Sequence, residues 1–178
     1  MSSVLSSSEY TSEPKARTPS ATVPFWLIVI AVTVLDFVTK AFAVERLAPR
    51  HIPHRVLGDF VRFTLAYNPG AAFGMHLGSA SRWIFSVLSV VIVIVLLRST
   101  AELTRLSKLA AVGVPIVIGG AVGNLLDRIR LREGVVDFID VGIGDVRFWT
   151  FNVADSAVTV GAVCLILALW SQEREQRT

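Results

Sequence analysis

Four long apolar runs alternate with polar segments along the chain and define its predicted architecture. Each run is close to the roughly 20 residues that an α-helix needs to cross a bilayer. The runs cover residues 24–44, 80–97, 109–126 and 153–170. The pattern therefore predicts an all-α membrane protein, built as a bundle of four transmembrane helices.

Two sections between the apolar runs have strand-like patterns and are predicted to lie outside the membrane. Residues 60–65 are rich in β-branched and aromatic side chains, and the Asn-Pro-Gly sequence at 68–70 is typical of a turn. Residues 135–139 and 146–151 predict two further strands. A small β-structure is therefore expected on one side of the bundle.

Polar segments flank the membrane domain, which is predicted to span residues 24–170. Residues 1–23 are rich in Ser, Thr, Glu and Pro, which is typical of a disordered tail, and residues 171–178 form a charged tail. An even number of spans places both termini on the same side of the membrane. The short, basic connection at 98–108 favours the cytoplasm for that side, because Lys and Arg accumulate in short cytoplasmic loops.

The composition excludes an ordinary soluble domain. Hydrophobic residues make up 53% of the chain, charged residues only 17%, and the mean hydropathy is +0.61. A protein of this size could not bury so much apolar surface in its interior. The arginines behind the net charge of +3 are scattered between the apolar runs, so nucleic-acid binding is not expected. The single cysteine, Cys164, cannot form an internal disulfide.

Polar residues are expected to converge at one face of the membrane. Because successive spans alternate in direction, the ends of the first and third spans meet the start of the fourth. These ends carry Asp36 and Lys40, then Asn124, Asp127 and Arg128, then Asn152 and Asp155. Ionisable groups in membrane spans are costly, and they commonly mark a functional site.

Asp36 and Lys40 are four residues apart and therefore share one face of the first helix. One interpretation is a local ion pair near the interface, with little role in function. The other is that the two residues hold the extramembrane part against the bundle or meet a polar substrate.

Paired carboxylates are the catalytic arrangement that the sequence favours. No Gly-x-Ser-x-Gly or His-Glu-x-x-His motif indicates a serine hydrolase or a zinc peptidase. Pro53 prevents His51 and His54 from aligning on a helix, so metal binding is not expected. Two neighbouring carboxyl groups share a proton, so one can activate water while the other donates to the scissile carbonyl.

The spacing of the interfacial aspartates leaves open which two of them pair. The candidates are Asp36, Asp127, Asp137, Asp140 and Asp155. Asp127 is adjacent to Arg128 and could instead form an ion pair or end a helix. Asp155 lies in the first turn of the fourth span, where a carboxylate also suits the helix dipole.

Several sequence blocks, in this order, resemble the motifs of the lipoprotein signal peptidases (signal peptidase II). The blocks are residues 68–74 (NPGAAFG), 119–128 (GGAVGNLLDR), 135–138 (VVDF) and 151–156 (FNVADS). Asp36 with Lys40 is similar to the family's first motif. The resemblance extends over about residues 24–170 and includes the four spans.

The resemblance implies an aspartic endopeptidase that removes the signal peptide from diacylglyceryl-modified prolipoproteins. Such enzymes cut on the N-terminal side of the lipidated lipobox cysteine. Asp137 and Asp155 match the family's catalytic pair. The positions that match its substrate-binding or supporting residues are Asp36, Lys40, Asn68, Gly70, Asn124, Asp127, Arg128 and Asn152.

The family's fold is a four-helix bundle with a small extramembrane β-cradle, which agrees with the predicted strands. The resemblance implies no metal or organic cofactor. The expected partners are prolipoprotein substrates and membrane lipid, and a monomer is expected. The expected location is the bacterial cytoplasmic membrane, with cytoplasmic termini and the active site near the outer face. A transporter subunit or lipid-binding scaffold is the alternative class; its loss would give uptake or partner phenotypes with no accumulation of uncleaved precursor.

Overall fold

Four long helices carry most of the apolar sequence in the computed structural model, which describes residues 22–72, 75–76 and 80–175. They are α1 (Thr22–Arg46), α2 (Ser81–Leu106), α3 (Lys108–Arg130) and α4 (Val153–Glu175). Within the described residues, all four are long and apolar enough to cross a membrane, with mean hydropathies of 2.0 to 2.4. The four predicted spans are therefore confirmed. Residues 1–21 and 176–178, which include most of the predicted tails, lie outside the described residues.

Helix α3 is the centre of the bundle, because the other three helices all pack against it. Inside the span of α3, 61% of the residues are buried, compared with 6% in α2. Small residues in α3 make this close helix packing possible. A Cβ at Gly120 would lie 2.5 Å from the carbonyl oxygen of Ala154, and one at Gly123 would lie 2.5 Å from Oδ2 of Asp36. These two glycines therefore let α4 and α1 approach α3 closely where the polar residues lie.

The polar connection expected at 98–108 is not a loop, and that part of the prediction is wrong. Helix α2 continues to Leu106, and a single residue, Ser107, joins it to α3. No Gly or Pro interrupts this stretch, so its polar residues remain helical. Ser107 has an extended backbone, and its side chain accepts a hydrogen bond from the amide of Ala110 at 3.1 Å, which caps α3.

The extramembrane part contains a four-stranded antiparallel sheet in the order β1-β2-β5-β6. Its strands are β1 (His54–Leu57), β2 (Val61–Asn68), β5 (Val135–Ile143) and β6 (Val146–Arg147). A separate two-stranded pair, β3 (Ala71–Ala72) and β4 (Met75–His76), follows β2. The predicted β-structure is therefore confirmed, although the returning strand ends at Arg147 instead of 151.

The start of β5 is packed against the end of the bundle. Ala43 from α1 and Leu47, directly after this helix, form a buried cluster with Leu65, Val136 and Phe138 from the sheet. Residues 135–138 are all buried, whereas the far end of β5 is exposed. This packing places the first half of β5 across the ends of the helices.

Candidate active site

Strand β5 brings Asp137 to the end of the bundle, where the side chain is only 3% exposed. Two sets of backbone contacts hold the strand there. The amide of Val136 donates to Oδ2 of Asp127 at 3.2 Å. The amides of Phe138 and Ile139 both donate to the carbonyl of Phe151, at 3.0 and 2.8 Å. Asp137 is thus fixed between α3 and the segment that leads into α4.

Asn152 and Asp155 cap the start of α4 reciprocally. The amide of Asp155 donates to Oδ1 of Asn152 at 2.9 Å, and the amide of Asn152 donates to Oδ2 of Asp155 at 3.2 Å. This is the geometry of a capping box, with Asn at the N-cap and Asp three residues later. The capping explanation for Asp155 is therefore correct, but it occupies only one of the two carboxylate oxygens.

Two buried amides connect this cap to the rest of the site. Nδ2 of Asn152 donates to Oδ1 of Asp137 at 2.7 Å, and Nδ2 of Asn124 donates to Oδ1 of Asp155 at 2.7 Å. The two amides also meet each other, since Nδ2 of Asn152 lies 3.1 Å from Oδ1 of Asn124. Each carboxyl group therefore receives one amide donor from this pair.

A third amide, that of Asn68 at the end of β2, hydrogen-bonds to Asp137. Its Oδ1 accepts a hydrogen bond from the amide of Gly70 at 3.0 Å, which turns the chain back. Gly70 has φ +115°, and a Cβ there would lie 2.7 Å from Cβ of Ser81. Gly70 therefore acts on the site through the turn that orients Asn68, and it does not line the cavity that contains Asp137 and Asp155.

The environment of Asp137 changes its protonation. Burial and the nearby negative charge of Asp155 raise the pKa of Asp137 to about 7, although hydrogen bonds from Asn152 and Asn68 and the positive charge of Lys40 act against this rise. A carboxyl group with this pKa exchanges its proton near neutral pH. That property suits a general acid or base.

Lys40 lies at the centre of a second buried cluster behind Asp155. Its Nζ is 2.7 Å from Oδ2 of Asp36, 3.0 Å from Oδ2 of Asp127 and 2.8 Å from Oδ1 of Asn124. Asp36 and Lys40 are 1% and 3% exposed, so they are not an exposed interfacial pair. Oδ1 of Asp36 also accepts from the amide of Ala154 at 2.9 Å.

This cluster decides between the interpretations that the sequence left open. Asp36 and Asp127 accept hydrogen bonds from α4 and β5, so the Lys40 cluster holds the extramembrane strand and α4 against the bundle. Asp127 pairs with Lys40 instead of its neighbour Arg128. Asp140 lies farther along β5, where it pairs with Arg147 at 2.8 Å and accepts from Thr64 at 3.2 Å.

Asp137 and Asp155 both line one cavity of about 420 Å³, between α2, α3, α4 and the 148–151 segment. Asn68, Asn124 and Arg128 line the same cavity. Helices α2 and α4 form two of its walls and scarcely touch each other. Among the described residues, no group of three or more His, Cys, Asp or Glu side chains is arranged to hold a metal ion.

The side chains that form the rest of the cavity wall were not predicted from the sequence. The aromatic members are Phe85, Phe148, Trp149 and Phe151, and the aliphatic members include Ile92, Val117 and Val158. Phe148 and Trp149 are more than half exposed. This aromatic pair lies in an extramembrane segment shortly before Asn152, and that position could have indicated the mouth of the cavity. The aliphatic members had no such signal, because their spans are apolar on every side.

Comparisons with known proteins agree with this architecture. The model of the family described as signal peptidase (SPase) II matches residues 28–171. The lipoprotein signal peptidase of Hydrogenovibrio crunogenus is 38% identical over 165 residues, which cover 89% of this chain and 91% of the relative. The lipoprotein signal peptidase of Coxiella burnetii is 41% identical over 145 residues, or 80% and 86% of the two chains. A bacterial membrane enzyme solved by the in meso method at 2.3 Å resolution superposes with a TM-score of 0.73 at 31% identity, covering 84% of this chain and 89% of that one.

Proposed function

Because this chain belongs to the signal peptidase II family, we propose that Asp137 and Asp155 form its catalytic pair. As a member of this family, the enzyme removes signal peptides from diacylglyceryl-modified prolipoproteins and cuts on the N-terminal side of the lipidated cysteine. The observation that carries the proposal is that two carboxyl groups from different elements line one cavity. No other pair among the described aspartates lines that cavity.

The hydrogen bonds favour different roles for the two carboxyl groups. Asp155 accepts one N–H on each oxygen, from Asn124 and from the backbone of Asn152, and it lies in the first turn of α4. Both features stabilise an ionised carboxylate. Asp137 is more deeply buried, and its raised pKa of about 7 favours the protonated form below that pH. Asp155 is therefore the general base and Asp137 the general acid.

These roles give a balanced hydrolysis. Asp155 takes a proton from a water molecule while the water oxygen bonds to the scissile carbonyl carbon, and Asp137 gives its proton to the carbonyl oxygen. The product of this step is a neutral tetrahedral diol. The carbon–nitrogen bond then breaks as Asp155 passes its proton to the leaving nitrogen and a diol hydroxyl returns a proton to Asp137. Each carboxyl group ends in its starting protonation state.

The cavity also suits a membrane-dissolved substrate. Ile92 and Val117 lie about three helical turns inside their spans, so the apolar wall continues from the carboxyl groups into the membrane. The gap between α2 and α4 is a lateral route for an apolar signal helix and a lipidated cysteine. Arg128 adds a positive charge beside the carboxyl groups, where a carbonyl oxygen becomes more negative during attack.

The chain is a multi-pass membrane protein, and its orientation is part of the proposal. The end of the bundle opposite the active site carries Arg98, Arg105, Lys108 and Arg174. The two longer sections at the active-site end carry more Lys and Arg, but the positive-inside rule counts best over short loops, and the short, basic connection between α2 and α3 favours the cytoplasm for the opposite end and both termini. The active site is then near the outer face of the bacterial cell membrane. Membrane lipid is the surrounding partner, and the cavity that contains both carboxyl groups is formed within one chain, which suits a monomer.

The test is processing of a diacylglyceryl-modified precursor, followed by a gel shift. We expect Asp137→Asn and Asp155→Asn each to abolish cleavage in folded, purified enzyme. Asp145→Asn is the matched control, because Asp145 is an exposed carboxylate in the turn at the far end of β5. Cleavage by either site variant at the rate of the parent enzyme would overturn the assignment of the pair. A transporter or scaffold would leave the precursor uncleaved even with the parent protein.

A further inference from the structure

The orientation of the Asn124 side chain decides whether Asp155 receives a hydrogen bond or meets another acceptor. Nδ2 of Asn124 is 2.7 Å from Oδ1 of Asp155. If the amide were turned over, its oxygen would face the carboxylate, and two acceptors would be in contact. A carboxylate in that position would lose one of its two stabilising donors.

A side-chain amide has nearly the same shape in both orientations, so its neighbours must choose between them. Oδ1 of Asn124 accepts from Nζ of Lys40 at 2.8 Å and from Nδ2 of Asn152 at 3.1 Å. An ammonium group donates hydrogen bonds and cannot accept them. Lys40 therefore permits only the orientation in which the Asn124 oxygen faces it and the nitrogen faces Asp155.

Asn152 alone would constrain the orientation of the Asn124 amide less strongly. Its own amide is oriented by the backbone, because its oxygen accepts from the amide of Asp155 and its nitrogen lies 3.3 Å from the carbonyl of Val136. However, its Nδ2 is shared between Asp137, Val136 and Asn124. The bond to Asn124 is longer than the one from Lys40. The ammonium is thus the stronger donor to Asn124 and the one with full charge.

We propose that Lys40 is a positioning residue for peptide hydrolysis, because its ammonium group fixes the Asn124 amide in the orientation that donates to Asp155. The inference rests on the proposed role of Asp155 as the general base. Lys40 does not line the cavity that contains the two carboxyl groups, so it does not touch the substrate. Its charge also lowers the pKa of Asp137, so the rates in the test are compared well below pH 7, where Asp137 is protonated in every variant.

The placement of the ammonium supports a positioning role. Asp36 and Asp127 hold Nζ of Lys40 from two sides. Each also accepts a hydrogen bond from the backbone amide of a residue next to one of the two catalytic aspartates. Asp36 accepts from Ala154, which precedes Asp155, and Asp127 accepts from Val136, which precedes Asp137. The donor to Asn124 is therefore fixed relative to the backbone of both carboxyl groups. Buried ion pairs contribute little net stability compared with apolar packing, so stability alone does not account for this arrangement.

A double-mutant cycle tests the proposal on purified enzyme with a diacylglyceryl-modified precursor. Lys40→Met is expected to lower kcat by about 10- to 100-fold with little change in KM, a size typical of outer-shell hydrogen-bond partners at metal centres. Asn124→Ala is expected to lower kcat similarly. Because Lys40 acts through the Asn124 amide, the double variant should be no slower than Asn124→Ala alone. If the double variant lost kcat by the product of the two single losses, the proposal would be overturned. A rise in KM at unchanged kcat in Lys40→Met would also overturn it.

Lys40→Arg is the conservative variant, since a guanidinium also donates without accepting. A second cavity of about 280 Å³ borders Lys40 and gives the larger group space. We expect kcat within about threefold of the parent enzyme. A loss equal to that of Lys40→Met would contradict the inference.

If Lys40→Met does not fold, Lys40→Gln replaces it in the cycle, because its N–H groups still donate to Asp36 and Asp127. Its amide can also accept, so Asn124 can turn over and kcat should again fall by about tenfold. The proposed function fails separately, through cleavage by Asp137→Asn or Asp155→Asn. If both of those variants are inactive and the Lys40 variant keeps the parental kcat, only the positioning role is wrong.

Discussion

Two pairs of carboxyl groups lie side by side at the end of the bundle, and different groups separate their members. The ammonium of Lys40 lies between Asp36 and Asp127. Among the described residues, only neutral amides, those of Asn124 and Asn152, connect Asp137 and Asp155. Asn124 belongs to both arrangements, since it accepts from Lys40 and donates to Asp155.

The difference shows how similar residues serve structure in one place and chemistry in another. A cation between two carboxylates offsets their repulsion, so the Lys40 cluster can hold α1, α3, α4 and β5 together. Amides donate hydrogen bonds but add no charge. The carboxyl groups of the second pair therefore retain their mutual repulsion, and the pKa of Asp137 rises to about 7. Burial is the largest cause of this rise, and the charge of Asp155 adds to it because, in the described part of the chain, no cation lies between the two carboxyl groups.

Removing the cation should produce the largest change in stability. Lys40→Leu leaves Asp36 and Asp127 buried without compensation, which should lower the free energy of unfolding by about 3–5 kcal/mol. Thermal unfolding in detergent micelles measures the change. The control is the triple variant Asp36→Asn, Lys40→Leu, Asp127→Asn, which has no buried charge in the cluster and should recover most of the loss. Equal stability of the single and triple variants would mean that charge compensation is not the function of Lys40 in the cluster.

The absence of a cation between Asp137 and Asp155 should affect the pH dependence of catalysis. The general acid Asp137 loses its proton as pH rises through about 7, so kcat/KM should decline above that pH. The hydrogen bond from Asn68 lowers the pKa of Asp137, so Asn68→Ala should shift the decline to higher pH, by about one unit. Rates measured from pH 5 to 9 test this. A shift toward lower pH would contradict the assignment of Asp137 as the acid.

The smallest effect is expected at Asp140, a compensated carboxylate on the same strand as Asp137. Asp140 is buried, but an asparagine there still offers Arg147 an oxygen acceptor, so Asp140→Asn should lower the free energy of unfolding by only about 1 kcal/mol. Because Asp140 lies outside the cavity, kcat and its pH dependence should not change. Asp137→Asn is the comparison three residues away, and it is expected to abolish cleavage. A tenfold loss of kcat in Asp140→Asn would show that the distal sheet contributes to the reaction.

Much of the fold could be predicted from local patterns. The four spans followed from apolar length, and the β-structure from the turn and strand signals around 60–70 and 135–151. The prediction of a loop at 98–108 was wrong because polar residues were interpreted as a break in the helix. Helix geometry depends on backbone propensity, and α2 contains no residue after Arg98 that stops a helix before Ser107.

The candidate site could be predicted only in part. The spacing of Asn152 and Asp155 indicates a helix start, and that of Asp36 and Lys40 indicates a shared helix face, since both relations are local. Spacing could not choose between Asp127, Asp137 and Asp140, and the resemblance to signal peptidase II made that choice. The structure separates them by their contacts: Asp127 meets Lys40, Asp140 meets Arg147, and Asp137 reaches the cavity.

The sequence by itself determined that the chain crosses the membrane four times and that its polar residues gather at one end of the bundle. Both properties follow from the length and order of the apolar runs. Only the tertiary structure decided which carboxyl groups face an ammonium and which face amides. That distinction depends on α1, α4 and β5 all meeting α3, where Gly120 permits the close approach of α4 and Gly123 that of α1. A charge alters a neighbour's protonation through space, so the nature of the acidic motifs at 137 and 155 depends on contacts that their own sequence does not contain.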